Sequence, residues 1–281
     1  MLKNKEKDHI LKNAYIPEHI LNLMIPLSKA KAFLINDYLG FVRGDVLIFI
    51  GYPLNKNFSE QNFINSLQSS IRKFNPCYVW FITPQIPSEL EKLCMERETD
   101  DYYILDLEKL NIKKELIRQI KKASMYLTVR RNSEISKEHL RLIKEFIEIK
   151  KPSQRVAELF LNINDFVTYS NTAVVLDCMD KKDNLIAFYV LDVGGPDFIT
   201  YVIGTYDRNN YIPHASDLVF HEMINIARQE NKKYIHLGLG VNEGLRRFKE
   251  KWGGVPFLKY ELCGYRITKT ESTLIDSFLI R

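Results

Sequence analysis

The apolar and polar positions of the first hundred residues alternate between strand-like and helix-like patterns. Uninterrupted apolar runs at 46–50 and 78–82 predict strands that are buried on both faces. Between them, apolar residues recur at helical spacing from 59 to 74, and Ser59 is placed to cap that helix. A helix at 16–27, a hairpin at 41–45, a helix at 87–95 and a short strand at 102–105 complete a predicted α/β unit.

A second unit begins near residue 111. A basic helix at 113–123, a strand at 126–130 and a helix opening at Ser136 precede a polar connection at 150–155. Strands at 173–176 and 186–193, with a turn at 180–184 between them, are followed by a third strand at 198–206. A helix at 216–230, a strand at 233–238, a short helix and a strand at 257–267 close the pattern. We therefore predict two domains, 1–110 and 111–281.

Composition restricts the class of protein. The chain has 281 residues, of which 46% are hydrophobic and 27% charged, as in a globular protein with a substantial core. Its net charge of +5 suits an anionic substrate or a phosphate-bearing carrier but does not indicate a DNA-binding protein. No run approaches the roughly 18 apolar residues of a membrane helix, and the first ten residues lack a secretory signal. We expect a cytoplasmic protein with no integral membrane segment.

The four cysteines are Cys77, Cys94, Cys178 and Cys263. They form no Cys-x-x-Cys pair and have no histidine cluster beside them, so the spacing predicts neither a metal site nor a disulfide framework. We expect reduced, buried side chains in a reducing compartment.

The most informative segment is YIHLGLG at 234–240, followed by GLRRFKEKWGG at 244–254. This strand, loop and helix resemble those of the FemABX-type aminoacyl transferases and of the soluble tandem-GNAT half of lysyl-phosphatidylglycerol synthases. The run RQIKKA at 118–123 is similar to the segment that opens the second GNAT lobe in the same superfamily. The resemblance covers roughly 105–265, and the first hundred residues match by element order only.

This resemblance implies an α/β (α+β) fold of two tandem GNAT (acyl-CoA N-acyltransferase-like) lobes, each a mixed central sheet flanked by helices. The N-terminal lobe, 1–110, is a degenerate one, and the C-terminal lobe, 111–281, carries the FK motif. The implied enzyme is an acyltransferase or aminoacyltransferase. Its acceptor, an amine or hydroxyl on a small molecule, peptide or lipid headgroup, lies between the lobes.

The physics of the FK segment agrees with that function. At a spacing of three, Arg246 and Lys249 share one helix face, while Phe248 and Trp252, spaced by four, share another. By resemblance, Lys249 stabilises the tetrahedral oxyanion of acyl transfer. We expect it to be an exposed helical lysine that contributes little stability; a solvated basic helix face is the alternative interpretation.

Other candidates follow from position. His236 is either a general base or a hydrogen-bonded core histidine. The predicted substrate-binding residues are Arg246, Phe248, Gly238, Gly240, Tyr201 and Tyr206. Arg118, Lys121 and Lys122 form a predicted phosphate- or carrier-binding cluster, with a solvated basic helix as the alternative. No metal site is predicted.

The absence of glycine from one loop suggests which kind of acyl donor the protein uses. CoA-using GNAT enzymes hold the pyrophosphate on a glycine-rich turn, whereas residues 208–216 here contain no glycine, and Pro213 removes an N–H donor. No cofactor is firmly predicted; aminoacyl-tRNA is the favoured co-substrate and acyl-CoA the alternative. A CoA-dependent N-acyltransferase with a non-standard pyrophosphate loop and a non-catalytic ligand-binding module remain the rival interpretations.

Overall fold

The computed structural model of the protein describes residues 2–267, which form two compact units. The first unit comprises residues 30–99 and 259–267 together with Leu2, and the second comprises 3–29 and 100–258. These units do not follow the predicted division at residue 110. The segment 3–29 joins residues that come much later in the chain, and the last strand joins residues that come much earlier.

The helices are α1 (Asn4–Lys12), α2 (Leu21–Ser28), α3 (Glu60–Phe74), α4 (Ser88–Glu91), α5 (Lys114–Ala123), α6 (Lys137–Lys150), α7 (Gln154–Leu161), α8 (Ile163–Tyr169), α9 (Ala215–Gln229) and α10 (Glu243–Lys251), and Pro17–His19 forms a 3-10 turn. The strands are β1 (Lys31–Ile35), β2 (Tyr38–Arg43), β3 (Val46–Ile50), β4 (Tyr78–Thr83), β5 (Glu96–Asp106), β6 (Leu127–Asn132), β7 (Ala173–Asp180), β8 (Leu185–Asp192), β9 (Phe198–Tyr206), β10 (Tyr234–Leu239) and β11 (Val255–Arg266).

The sheet of the first unit has the order β1-β2-β3-β4-β11. Its strands pair antiparallel except β3 with β4, which are parallel and are connected through α3. Ser59 caps α3 by accepting the N–H of Asn62, as the sequence predicts. The helix packs Phe63 and Leu67 onto a core that includes the fully buried Phe49 and Phe81.

The sheet of the second unit has the order β5-β10-β9-β8-β7-β6. Only β9 and β10 pair in parallel, and α9 connects them. One face carries a core cluster built with α5, α9 and Trp252, and the other carries a cluster built with α2, α6 and α8. Strands β7, β8, β9 and β10 therefore supply alternate side chains to two separate cores.

Several predicted elements have different limits. The helix predicted at 16–27 is a 3-10 turn followed by α2, which contains Pro26. The helix predicted at 87–95 is reduced to α4, and the strand predicted at 102–105 begins at Glu96, within a charged run. Four elements were not predicted: α1, β1, α7 and α8.

The expectation that all cysteines are unpaired is wrong for two of them. Cys94 and Cys263 form a disulfide within the first unit, although 169 positions separate them in sequence. The antiparallel pairing of β11 with β4 brings Cys263 to this part of the sheet, and the Met95 N–H donates to the carbonyl of Gly264. Cys77 and Cys178 are free. The spacing of the cysteines in the sequence does not show which strands pair, so it could not predict this disulfide.

Candidate functional site

The central feature of the second unit is the point at which β9 and β10 stop pairing. Their parallel register covers Phe198–Thr200 and Tyr234–His236, after which both strands continue separately. On its other side, β10 pairs with β5 through an irregularity between His236 and Leu239. Gly238 lies within this irregularity with φ +71°, a conformation that favours glycine. The end of β10 is thus a bent backbone beside a gap between strands.

Helix α10 places Lys249 at this strand end. Asn242 caps the helix by accepting the Leu245 N–H at 3.0 Å. The Lys249 Nζ donates to the carbonyl of Leu239 and lies 5.5 Å from the centre of the Tyr103 ring. Only 5% of Lys249 is exposed, so the expectation of an exposed helical lysine is wrong.

Burial changes the chemistry of Lys249. Desolvation lowers the pKa of its ammonium to about 8, and the nearby Asp100 carboxylate opposes that change. Lys249 therefore keeps its charge at neutral pH in a place from which water is largely excluded. A cation in such surroundings interacts more strongly with a developing anion than one in water.

The aromatic residues around Lys249 hold α10 in place. The Trp252 ring stacks on Phe220 with a centroid distance of 4.8 Å, and Phe248 meets the edge of the same ring at 5.4 Å. This confirms that Phe248 and Trp252 share the packed face of the helix. Phe248 therefore packs against the core of the second unit, and its predicted substrate contact stays a prediction.

His236 is completely buried on β10. Its Nδ1 accepts the Gly238 N–H at 3.2 Å, and its ring meets the Tyr102 ring edge-on at 4.9 Å. Burial, assisted by the charge of Lys249, lowers the pKa of His236 to about 3. A neutral imidazole with so low a pKa is a weak base, so these surroundings favour a hydrogen-bonding role over general base catalysis.

Arg246 and Gly240 meet at one carboxylate. Asp100 accepts the Val241 N–H at 2.6 Å, and its Oδ1 lies 3.5 Å from Arg246 Nη2. A Cβ at Gly240 would lie 2.7 Å from both Arg246 Nε and Asp100 Oδ1, so a larger residue there would displace these two side chains. Val241 itself has φ +58°, an unfavourable conformation for a β-branched residue. The loop after β10 is thus held in a strained form at the predicted site.

A bulge on β9 brings the two predicted tyrosines to one face. The register with β8 shifts so that Tyr201 pairs with Leu191 and Ile203 with Val190. Tyr201 and Tyr206, five positions apart, consequently both pack against the same core cluster. Burial raises the pKa of Tyr201. Their predicted role in substrate binding stays a prediction.

The glycine-free loop after β9 already holds a carboxylate. Asp207 Oδ1 accepts the N–H groups of Asn209 at 2.8 Å and Asn210 at 3.0 Å, while Arg141 Nη2 donates to Oδ2 at 2.8 Å. Burial opposes ionisation, but these hydrogen bonds hold the pKa of Asp207 below its usual range. The loop amides that would face an external anion are therefore directed at a side chain of the same loop.

A second carboxylate lies in the first turn of α9. Asp217 is 5% exposed and accepts hydrogen bonds from His214 Nδ1 at 3.0 Å, Trp252 Nε1 at 3.1 Å and Lys251 Nζ. Acidic groups are favoured at a helix N-terminus, where the helix dipole is positive. Asp217 thereby joins the start of α9 to the end of α10 and makes the start of α9 less attractive to a phosphate.

The predicted carrier-binding residues lie on α5. Arg118 forms an ion pair with Glu115 on the same helix, and Lys121 and Lys122 are exposed. The apolar face of α5, with Leu116 and Ile120, packs into the core. The structure therefore places these cations on a solvated face, and their binding of a carrier stays a prediction.

Sequence reasoning missed several residues that the register of β5 and the fold of the N-terminal segment bring to this region. Tyr103 and Asp100 on β5 contact Lys249 and Arg246, respectively. Glu18, in the 3-10 turn, lies near the hydroxyl of Tyr102, whose ring stands beside His236. Glu18 stands within a segment whose predicted helix gave no reason to expect a buried carboxyl group.

No protein-family model matches the chain, and no curated protein matches its sequence. Solved structures do match it along most of its length. L-PGS from Bacillus licheniformis is 16% identical with a TM-score of 0.58, covering 99% of this chain and 95% of that one. FemX is 13% identical with a TM-score of 0.61, covering 98% and 99%. A tandem GNAT protein from the clavulanic acid biosynthesis pathway is 8% identical with a TM-score of 0.52, covering 82% and 78%.

At these identities the likeness establishes the fold. The chain has the tandem GNAT fold with mixed sheets flanked by helices, as the FK segment and the element order predict. Within residues 2–267, no helix is long and apolar enough to cross a lipid bilayer. Fold alone does not specify chemistry, because the same fold carries different reactions.

Proposed function

We propose that this protein is an aminoacyltransferase that moves an aminoacyl group from aminoacyl-tRNA to an amine or hydroxyl acceptor. The observation that carries the proposal is the buried ammonium of Lys249 at the end of β10, beside the gap between β9 and β10. The resemblance of the FK segment to FemABX-type transferases and the shared fold with L-PGS and FemX support this reaction class.

Lys249 stabilises the oxyanion in the proposed mechanism. When the acceptor attacks the ester carbonyl of the donor, negative charge develops on the carbonyl oxygen. An ammonium has three N–H donors, so the hydrogen bond to Leu239 leaves donors for that oxygen. The Leu239 contact and the Tyr103 ring hold the ammonium in place before the reaction, so little reorganisation is needed in the transition state.

The anionic side chains near α9 argue for a donor other than CoA. A pyrophosphate at the loop after β9 would find the Asn209 and Asn210 amides directed at Asp207. It would also approach the buried carboxylate of Asp217 in the first turn of α9. Both carboxylates are paired with cations, Asp207 with Arg141 and Asp217 with Lys251, so the amides and cations that a pyrophosphate would need are already engaged.

The proposal is tested first by thermal-shift titration against bulk aminoacyl-tRNA, uncharged tRNA, acetyl-CoA and CoA. Stabilisation that requires the aminoacyl group supports it. A response to CoA compounds alone makes the protein a CoA-dependent acyltransferase, and no response to any of the four supports a ligand-binding module without catalysis.

The role of Lys249 is tested by discharge of radiolabelled aminoacyl-tRNA in the presence of a mixture of amines. We expect Lys249→Met to bind the donor but to slow discharge by about 100- to 1,000-fold, the usual effect of removing one oxyanion donor. Arg247→Met is the matched control, since Arg247 is an exposed cation on the same helix. Equal loss in both variants contradicts a specific role for Lys249.

A further inference from the structure

Three buried polar atoms around one face of the sheet in the second unit have no hydrogen-bond partner among residues 2–267. They are Oε2 of Glu18, Oγ1 of Thr200 and Nε2 of His236. Thr200 and His236 pair in the parallel register of β9 and β10, so their side chains are neighbours on that face. Buried polar groups in native proteins nearly always have partners. Unpartnered atoms on neighbouring residues of one face indicate a bound group that supplies the missing hydrogen bonds.

Glu18 is connected to the other two residues through Tyr102. The Tyr102 hydroxyl lies near the Glu18 carboxyl group and partly offsets the rise in its pKa that burial causes. The Tyr102 ring stands edge-on to His236 with 4.9 Å between the ring centres. The cluster therefore extends from the 3-10 turn across β5 to β10 and β9. We name these three residues with unpartnered atoms, Glu18, Thr200 and His236, the polar cluster.

The donors and acceptors of the polar cluster define what it binds. His236 Nδ1 accepts from Gly238 and the ring is neutral, so Nε2 carries the hydrogen and is a donor. The Thr200 hydroxyl both donates and accepts. Burial raises the pKa of Glu18 to about 7, so about half of its carboxyl groups are ionised at pH 7, and the ionised form favours a ligand with N–H donors. The ionised Glu18 carboxylate would repel a phosphate or carboxylate ligand, whereas an amine would donate hydrogen bonds to it.

The polar cluster and Lys249 approach the same strand end from different faces. His236 and Tyr102 project to one face of the sheet, while Lys249 lies over the ring of Tyr103, the next residue along β5. Pairing of β9 and β10 ends at Thr200 and His236. A carbonyl group in the gap beyond that point would have the ammonium on one side and the polar cluster on the other.

We propose that the polar cluster is the binding subsite of an acceptor amine and that Glu18 accepts the proton that the amine loses. This inference rests on the proposed function and deepens it by assigning a primary amine as the acceptor. The acceptor binds as an ammonium ion and first gives one proton through the Glu18 carboxylate to water. The neutral amine nitrogen then forms a bond to the carbonyl carbon and the ester C–O bond to tRNA breaks. The second proton leaving nitrogen goes to the Glu18 carboxylate and then to the departing oxygen of the tRNA, so the only other species involved is the water that takes up the first proton.

The titratable groups near Glu18 determine how the pH dependence of the transfer rate is interpreted. The titratable groups that approach it are Tyr102 from β5 and, behind that ring, His236 from β10, while His19 follows it in the chain. His236 stays neutral above its pKa of about 3. We therefore expect the rate of transfer to rise with pH through about 7, as Glu18 loses its proton.

The first experiment measures amine binding without any donor. Carbon-13 NMR of labelled glutamate carboxyl groups follows the titration of Glu18 in the presence of methylamine or ethanolamine and, for comparison, methanol or ethylene glycol. The Glu18→Gln variant assigns the resonance. We expect the amines, but not the alcohols, to lower the pKa of Glu18. Equal effects of amines and alcohols overturn the proposal and indicate that the polar cluster holds water.

Two further variants keep the result interpretable. Thr200→Val removes the unpartnered hydroxyl with little change of shape, and we expect it to weaken amine binding several-fold while the fold stays intact. Glu134→Gln is the matched control, because Glu134 is an exposed glutamate of the same unit. Because Glu18→Gln has no carboxyl group to titrate, amine binding to the variants is measured by calorimetry, and unchanged binding in both Glu18→Gln and Thr200→Val overturns the proposal.

A donor experiment separates this inference from the proposed function. Glu18→Gln is expected to bind aminoacyl-tRNA as the wild type does but to transfer slowly and without the rise in rate near pH 7. Equal transfer rates and pH profiles in the two proteins overturn the role of Glu18 alone. If the wild type binds amines but not aminoacyl-tRNA, the proposed donor is wrong and the amine subsite stands.

Discussion

Lys249→Met gives a test of the site that needs no substrate. The variant keeps an unbranched side chain of similar volume and removes the buried charge. Burial lowers the pKa of Lys249 from 10.5 to about 8. Since one pKa unit corresponds to about 1.4 kcal/mol, charged Lys249 costs the folded state about 3 kcal/mol at neutral pH. The variant loses the hydrogen bond to the Leu239 carbonyl, which is worth about 1 kcal/mol.

The balance predicts a sign that depends on pH. Below pH 8 the lysine is charged in both the folded and the unfolded states, so its full cost applies and Lys249→Met should be more stable than the wild type by about 2 kcal/mol. Between pH 8 and 10.5 the unfolded chain binds more protons than the folded one, so the wild type gains stability as pH rises. At the top of that range the variant should be the less stable protein by about 1 kcal/mol.

Urea denaturation of both proteins from pH 7 to pH 10.5 measures the difference in the free energy of unfolding. Lys121→Met is the control, because Lys121 is exposed on α5 and has no burial cost to lose. A difference between Lys249→Met and the wild type that stays constant over this pH range would refute the reasoning, since it would mean that Lys249 does not titrate from a buried position.

Two further predictions concern stability elsewhere in the molecule. Reduction of the Cys94–Cys263 disulfide should lower the free energy of unfolding by about 2–4 kcal/mol, because the bridge joins residues 169 positions apart, and denaturation with and without reductant measures it. Asp217→Ala should lower it by about 2–4 kcal/mol, because the buried Trp252 Nε1–H loses its acceptor and the link to α10 is lost; denaturation followed by tryptophan fluorescence detects the change.

Each of these has a direct check. Thiol titration of the unfolded protein should find two reactive cysteines before reduction, Cys77 and Cys178, and four afterwards. Four thiols without reductant would contradict the disulfide. Asp197→Ala removes a carboxylate from a surface ion pair with Lys233 and should cost less than about 1 kcal/mol. A similar cost for Asp197→Ala and Asp217→Ala would mean that the buried contacts of Asp217 add nothing.

Local sequence predicted the elements whose patterns are regular. β3 begins and ends at the predicted residues 46 and 50, and β9 covers the predicted 198–206. These strands have apolar runs bounded by turn residues, so the pattern and the structure coincide. The charged start of β5 gave no such pattern, since residues 96–101 read ERETDD. This segment forms a strand because it hydrogen bonds to neighbouring strands, and the periodicity of its own residues does not show such pairing.

The sequence predicted the part of the candidate site that lies within one continuous segment. It did not predict the part that is formed by residues far apart in the chain. The FK helix located Lys249, and the glycines located the bent end of β10. Burial of Lys249 comes from the Tyr103 ring on β5 and the Leu239 carbonyl, which lie at sequence distances that no local pattern covers. Glu18 is the extreme case, because 218 positions separate it from His236.

The path of the chain between the two units has a consequence for synthesis on the ribosome. The second unit needs residues 3–29, which are made before the rest of that unit, and also residues up to 258. The first unit needs β11, so β4 lacks its antiparallel neighbour until residue 266 has been made. Neither unit is complete before the other is almost entirely synthesised, which departs from the usual folding of domains in turn. The nascent chain therefore keeps one edge of β4 unpaired for most of translation, and an unpaired strand edge is prone to aggregation.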